Sequence, residues 1–472
     1  MSDTLARKLA RFAVGLRYED LPLQVVDKAR ACILHCIGVG LAGHGSGAVR
    51  AARAAILAEE GHSGNRGATL MVTGERATPY GAAFVNSSLM HAKLQEDAYH
   101  TGSHPGVMIV PAALAVAETR GKSGKDLITA VAAGYEIEAA MTADFIPKSN
   151  EQGFRSSPTY GPFGAAIAAG HLLGLDEDQA ANAIGYAATF AAGTFEGGDG
   201  TDIMVLQVSQ AARSGLLAAY LAEQGARASA TSLEGPIGFY YAFTGGTDGI
   251  DGIADHLGSR WEIMDVTLKR YPTSMFNQPP IHVILALTEQ HDLQPDQIAS
   301  VLVEMNDFET TYPSATFRRA GYRRASGSGA TNFVVAAACV NRGFSIPPDR
   351  PTGWTSPVQG IDRLPTHAAS VSLAERVQVV GSPDIPPLAP RVTVTLKDGA
   401  TYQLQATGDE LKLNLAQDRA VVRALVPEIP GGATSVERLI AAVDRLDDAP
   451  SVAELIASAI LPTATRDSDA AY

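Results

Sequence analysis

The stretch that decides the fold is RVTVTLKDGATYQLQ, residues 391–405. Residues 391–396 alternate apolar and polar side chains, Asp398-Gly399 supplies the two residues that best tolerate a tight hairpin turn, and residues 401–405 resume the strand pattern. Working outward, residues 300–305 form a β-branched run suited to a strand, whereas 281–290 and 332–341 have helical periodicity. These pieces predict a mixed α/β domain over 268–408. On both sides the texture is helical. Leu5, Leu9, Phe12 and Leu16 recur at spacings of three and four, and further amphipathic or apolar helices are predicted over 23–37, 111–118 and 125–141. Asp176 followed by Gln179 reads as a helix N-cap, and Gly225 as the stop of a helix over 210–223. Helical periodicity returns over 409–460, most naturally packing back on the first segment. The expected fold is mainly α: a large all-helical domain formed by both chain ends (1–267 and 409–472) plus a smaller inserted α/β domain.

Composition narrows the function classes. The 472 residues carry 37 Lys+Arg against 50 Asp+Glu, a net charge of -13, and no cluster of basic residues. The footprint for nucleic acid or an anionic membrane surface is therefore missing, and no such partner is expected. With 46% hydrophobic and 18% charged residues the chain is too apolar to be disordered. Cys32, Cys36 and Cys339 are an odd number, two of them in an apolar helical stretch, which suits reduced thiols and a cytoplasmic setting. No secretory signal opens the chain, and the longest apolar run, 33–42, is about half the roughly 20 residues that span a bilayer.

Several motifs invite chemistry. Gly38, Gly40 and Gly43 spell G-x-G-x-x-G, but the preceding residues read as helix rather than strand, so close helix packing is the better reading than a dinucleotide site. The glycine-rich pieces 197–200 and 327–329 lack a phosphate-loop ending and read as loops. The densest polar constellation is 96–106, with Glu96, Asp97, Tyr99, His100, Thr101, Ser103 and His104. His100 and His104 have a spacing that could share a metal with Asp97, but Gly102 and Pro105 argue against a continuous helix there. A metal-free acid/base site centred on His104 is preferred. Lys269-Arg270-Tyr271-Pro272 could clamp a carboxylate, or be a solvated pair of cations. Neither a Gly-x-Ser-x-Gly elbow nor a Cys-His signature supports nucleophilic hydrolysis.

The succession of residues 86–91, His104-Pro105-Gly106, Gly134-Tyr135-Glu136, 161–176, 211–225, 268–272 and 391–399 resembles the MmgE/PrpD family, which includes 2-methylcitrate dehydratase, cis-aconitate decarboxylase and iminodisuccinate epimerase. The resemblance implies a homodimer, a small organic acid as partner, no metal and no organic cofactor. It implies proton removal next to a carboxylate or carbonyl, followed by dehydration, decarboxylation or epimerisation. His104, Asp97 and Lys269 match the family's site. Elsewhere the pattern departs. Leu94 stands for an aspartate, Ala98 for a polar residue, Arg155 for a histidine, Met204 and Gln207 for a lysine and a histidine, Ser274 for a histidine and Phe333 for a tyrosine, while Glu96 replaces the first acid of an Asp-Asp pair. Each lost polar partner costs roughly 1–3 kcal/mol of binding in a buried site. The expected substrate is therefore a less highly charged acid. His104 is the expected acid/base, Asp97 or His100 its relay, Lys269 and Arg155 the anion-binding groups, and Tyr80 and Tyr160 reserve proton donors. An epimerase, and a catalytically inactive ligand-binding or scaffold homodimer, are the alternatives.

Overall fold

The computed structural model describes residues 3–61, 67–100, 102–142, 144–198, 201–312, 330–345 and 365–462. The stretches 199–200, 327–329 and 346–354, the pairs Arg318-Arg319 and Arg323-Arg324, and the tail beyond Pro462 lie outside them; Gly197, read as loop, belongs to the short helix Phe195–Gly198.

The protein is mainly α, with one core drawn from both chain ends and a second, smaller core between them. Leu23–Ala42, Pro79–His91, Gly106–Thr119, Gly124–Thr142, Ser156–Leu173 and Ile203–Glu223 build the large core. Leu415–Ala424 and Gly432–Asp444 close onto it from the far end of the chain. Local signals set several boundaries. Asp176 and Gln179 form a capping box opening Glu177–Phe190, and Asn414 with Gln417 does the same for Leu415–Ala424. The three glycines of the G-x-G-x-x-G stretch lie along and just past one helix, where they are used for contact. A Cβ on Gly38 would stand 2.9 Å from Val422 Cγ1, so the Leu23–Ala42 and Leu415–Ala424 helices touch at that point because residue 38 has no side chain.

The inserted domain carries a four-stranded sheet. Ile298–Asn306 pairs in parallel with Val377–Ser382 and antiparallel with Arg391–Leu396, which pairs in turn with Thr401–Gln405 across the Asp398-Gly399 turn. Helices Gln278–His291 and Thr331–Asn341 pack on this sheet through Ile281, Ile284, Val334 and Val335. The two connections between the cores run side by side, with Leu268 N donating to Leu411 O at 2.8 Å. Beneath them the buried Lys28 ammonium donates to Val266 O (2.5 Å) and Leu413 O (2.9 Å), holding both crossings to the Leu23–Ala42 helix. Among the described residues no single helix is long and apolar enough to cross a membrane.

Replacing Gly38 by Val should force the two touching helices apart and lower the unfolding free energy by about 1–3 kcal/mol. Urea unfolding should show this as a lower midpoint at an unchanged slope.

Candidate active site

A two-residue pairing makes the site. Strand Asp97–Ala98 runs antiparallel to Thr267–Leu268, with Asp97 opposite Leu268 and Ala98 opposite Thr267. Continuing that register by one residue sets Glu96 against Lys269. Lys269 Nζ lies 2.6 Å from Glu96 Oε1 and also donates to Leu94 O at 3.2 Å. Leu94 reaches this position through a left-handed backbone, φ 52°, a conformation that costs a non-glycine residue energy and marks a locally strained loop.

Two imidazoles flank the carboxylate. His91, the last residue of its helix, places Nδ1 3.4 Å from Glu96 Oε2, and His104 places Nδ1 3.4 Å from Glu96 Oε1. The two rings are 5.7 Å apart. Arg155, just ahead of the Ser156–Leu173 helix, donates to His91 Nε2 (3.0 Å), Met204 O (2.6 Å) and Gln207 Oε1 (3.3 Å). The same helix start holds the loop, because Ser156 Oγ donates to Gly102 O (2.6 Å) and Ser157 Oγ accepts from His104 N (3.1 Å). Glu96 and His91 are wholly buried and Lys269 nearly so, whereas the His104 side chain keeps 15% of its surface open.

The hydrogen bonds fix the tautomers. His104 Nδ1 lies 2.9 Å from Asp97 O. A carbonyl oxygen only accepts, so Nδ1 carries the hydrogen and Nε2 the lone pair. Burial, reinforced by the Lys269 charge, holds this imidazole well below its usual range, so it is neutral at neutral pH. Glu96 behaves oppositely. Burial alone would raise its carboxyl, but Lys269 and the two histidines outweigh it and hold it well below the usual carboxylate range.

The structure brings His104, Lys269, Arg155, Gln207, the Met204 carbonyl and the Leu94 carbonyl around Glu96. It turns other expected site residues elsewhere. The Asp97 side chain points away from His104, accepting from Tyr135 Oη (2.7 Å) and from Gly106 N (3.0 and 3.1 Å) at the start of the next helix. Only its backbone oxygen serves the histidine, and burial raises its carboxyl to about 6. A Cβ on Gly106 would stand 2.4 Å from that Tyr135 oxygen, which explains the glycine. His100 does not relay to His104. Its left-handed backbone, φ 45°, turns the ring into a separate cavity of about 580 Å³ beside Tyr99, Arg260 and Glu262. Tyr80 stands eleven residues before His91 on one helix, about 16 Å away along its axis, edge-on to Tyr220. Tyr160 is fully buried edge-on to Phe239, and no hydrogen bond or ring contact joins it to His104 among the described residues. Ser274 opens the turn Met275–Asn277, with no hydrogen bond of its hydroxyl to the cluster, and Phe333 packs in the second core. The sequence reading passed over His91 and gave Glu96 no role. A buried acid directly before Asp97, at the position of a family acid, was the available signal.

The family model "MmgE/PrpD N-terminal domain" matches residues 7–249, more than half the chain. The chain belongs to the MmgE/PrpD family. Among relatives of this MmgE/PrpD member, it is 31% identical over 234 residues to the cis-aconitate decarboxylase-like protein oryM of Aspergillus oryzae, 46% of each chain. It is 27% identical over 295 residues to a cis-aconitate decarboxylase of Aspergillus terreus, 59% of each chain. The match therefore spans about half the length of these two relatives. To the Mus musculus cis-aconitate decarboxylase it is 24% identical over 426 residues, 85% of this chain and 82% of that one.

Behind the loop, Glu138 is fully buried and accepts from Ser103 Oγ at 2.5 Å. Burial raises its carboxyl from 4.5 to about 8. The native state thus keeps a proton that the unfolded chain has lost, so this group's contribution to stability falls as pH rises between those values. Between pH 6 and 8, Glu138→Gln should flatten the decline of unfolding free energy by on the order of 1 kcal/mol per pH unit, the raised Asp97 carboxyl, at about 6, being present in both proteins. Denaturant unfolding of both proteins at pH 6, 7 and 8 measures the difference.

Proposed function

We propose that the protein is a lyase that uses His104 to move a proton at carbon beside a carboxylate or carbonyl of a small organic acid, with loss of carbon dioxide or water. The observation that carries this reading is the state of His104: a neutral ring, held by Nδ1–H to Asp97 O, with its basic Nε2 free of hydrogen bonds among the described residues and its edge open to solvent. When Nε2 takes a proton the ring becomes an imidazolium 3.4 Å from the Glu96 carboxylate, which favours the charged form. In a dehydration, the electron pair left on carbon spreads into the substrate carboxyl as an enolate, and hydroxide leaves the neighbouring carbon as water after taking the proton back. In a decarboxylation, Nε2 first takes a proton from solvent; as carbon dioxide leaves, the pair from the broken carbon–carbon bond stays on carbon and accepts that proton from the ring. The names of the relatives favour decarboxylation.

The substrate class follows from charge. Within the cluster the Glu96 carboxylate is held by Lys269, while Arg155 is bound to His91, the Met204 carbonyl and Gln207. A tricarboxylate would bring excess negative charge into a largely buried site, which supports a less highly charged acid. The apolar Leu94 and Met204, whose carbonyls lie at the cluster, support the same choice. Lys269 acts here through its field, since its ammonium is already bound by Glu96 rather than presented as an open clamp. Epimerisation needs a second proton carrier on the opposite face, and the positions of Tyr80 and Tyr160 favour a single-base lyase instead. Side chains alone supply the proposed chemistry. A homodimer in the cytoplasm completes the proposal.

Incubation with a panel of mono-, di- and tricarboxylic acids in deuterated water, followed by NMR, tests it. Monocarboxylic acids should be turned over faster than cis-aconitate, and His104→Asn should lower the rate by about 10²–10⁴-fold. Full turnover by the His104 variant would remove His104 from the mechanism, and an inert wild-type protein would leave a ligand-binding or scaffold dimer as the reading.

A further inference from the structure

We infer that Asp418 and His35 are positioning residues for the catalytic loop, through which the returning end of the chain holds His104 in its basic tautomer. The inference rests on the reading of His104 as the base and adds what keeps it so.

His35 lies on the Leu23–Ala42 helix, wholly buried, with Nε2 2.7 Å from Gln95 O and Nδ1 2.7 Å from Asp418 Oδ1. Both partners accept, so both ring nitrogens donate, and the pair is an imidazolium against a carboxylate. Burial opposes that charge, but Asp418 outweighs it and raises the imidazole above its usual range. The second Asp418 oxygen has no hydrogen-bond partner among the described residues. The acid is thus committed to His35, and His35 to Gln95.

Gln95 is gripped at both ends, since its side-chain amide donates to Arg270 O at 2.9 Å while its carbonyl is taken by His35. The next residue meets Lys269, and the one after supplies the carbonyl that fixes His104 Nδ1. Two peptide units therefore separate the His35 clamp from the oxygen that chooses the tautomer of the base. Peptide planarity and the strand pairing at residue 97 leave this short segment little freedom to absorb a shift. Without the Asp418 charge, His35 loses a proton, and where its one remaining N–H turns to residue 418 a bare nitrogen faces the Gln95 oxygen. The Gln95 carbonyl is then pushed away or released.

The test reads ring nitrogens directly by ¹⁵N NMR of the full-length protein at pH 7, with no substrate, so it is independent of whether His104 turns anything over. In the wild type, His35 should be protonated on both nitrogens and His104 on Nδ1 alone. Asp418→Asn should make His35 neutral and turn the single His104 tautomer into a mixture, with kcat falling more than KM changes on any acid the wild type converts. Val421→Ala, a cavity in the same helix with no contact to His35 in the hydrogen-bond network, should lower the melting temperature and leave His104 unchanged. A neutral His35 in the wild type overturns the inference, and so does an unaltered His104 in Asp418→Asn or an equal change in Val421→Ala. Should Asp418→Asn fail to fold, the wild-type state of His35 decides alone.

Discussion

The antiparallel contact between Asp97–Ala98 and Thr267–Leu268 carries the whole arrangement, because its register sets the buried Glu96 carboxylate on the buried Lys269 ammonium. A one-residue slip would turn every side chain on that short ladder to the other face. The pair also commits the protein to this register. Two buried opposite charges roughly offset their own desolvation, but separating them leaves an uncompensated ion, which costs about 3–5 kcal/mol. Through this contact the helical core and the inserted domain are joined at the point where the chemistry is placed.

The electrostatics of the site follow from that commitment. Glu96 stays ionised because Lys269 faces it, burial reinforced by the Lys269 charge keeps His104 neutral, and the Glu96 carboxylate lies 3.4 Å from that ring. Arg155 joins His91 to the carbonyl of Met204 through its guanidinium. His91 then has its hydrogen on Nδ1, facing Glu96, since Nε2 accepts from the guanidinium. The result is a site with a single solvent-open proton carrier among the described residues, surrounded by groups that only hold charge in place.

Much of the fold was legible in the chain because it rests on local chemistry. The capping box at Asp176, the Asp398-Gly399 turn and the alternation of 391–396 each act within a few residues, and each is found where its pattern stands. The site was less legible. His104, Lys269 and Arg155 were picked out by residue type and family position, yet the carboxylate beside His104 is that of Glu96 and not, as expected, that of Asp97. Adjacent residues on a strand point to opposite faces, and which face meets Lys269 depends on the partner strand 170 residues away. His100 failed as a relay for a related reason: a left-handed backbone at one residue turns its ring out of the site, and nothing in the spacing His100–His104 encodes that turn.

By itself, then, the sequence determined the class of architecture, the helices and the hairpin, and the loop that carries the histidine, since these depend on periodicity, caps and turn residues. Only the tertiary structure decided which acid serves His104, which nitrogen of its ring is basic, and that Asp418 at one end of the chain reaches His35 and Gln95 near the other. Those outcomes are set by distances of about three ångströms, from His104 to Asp97 seven positions away in one loop to His35 and Asp418 383 positions apart, and such distances follow from packing and strand register rather than from any local pattern.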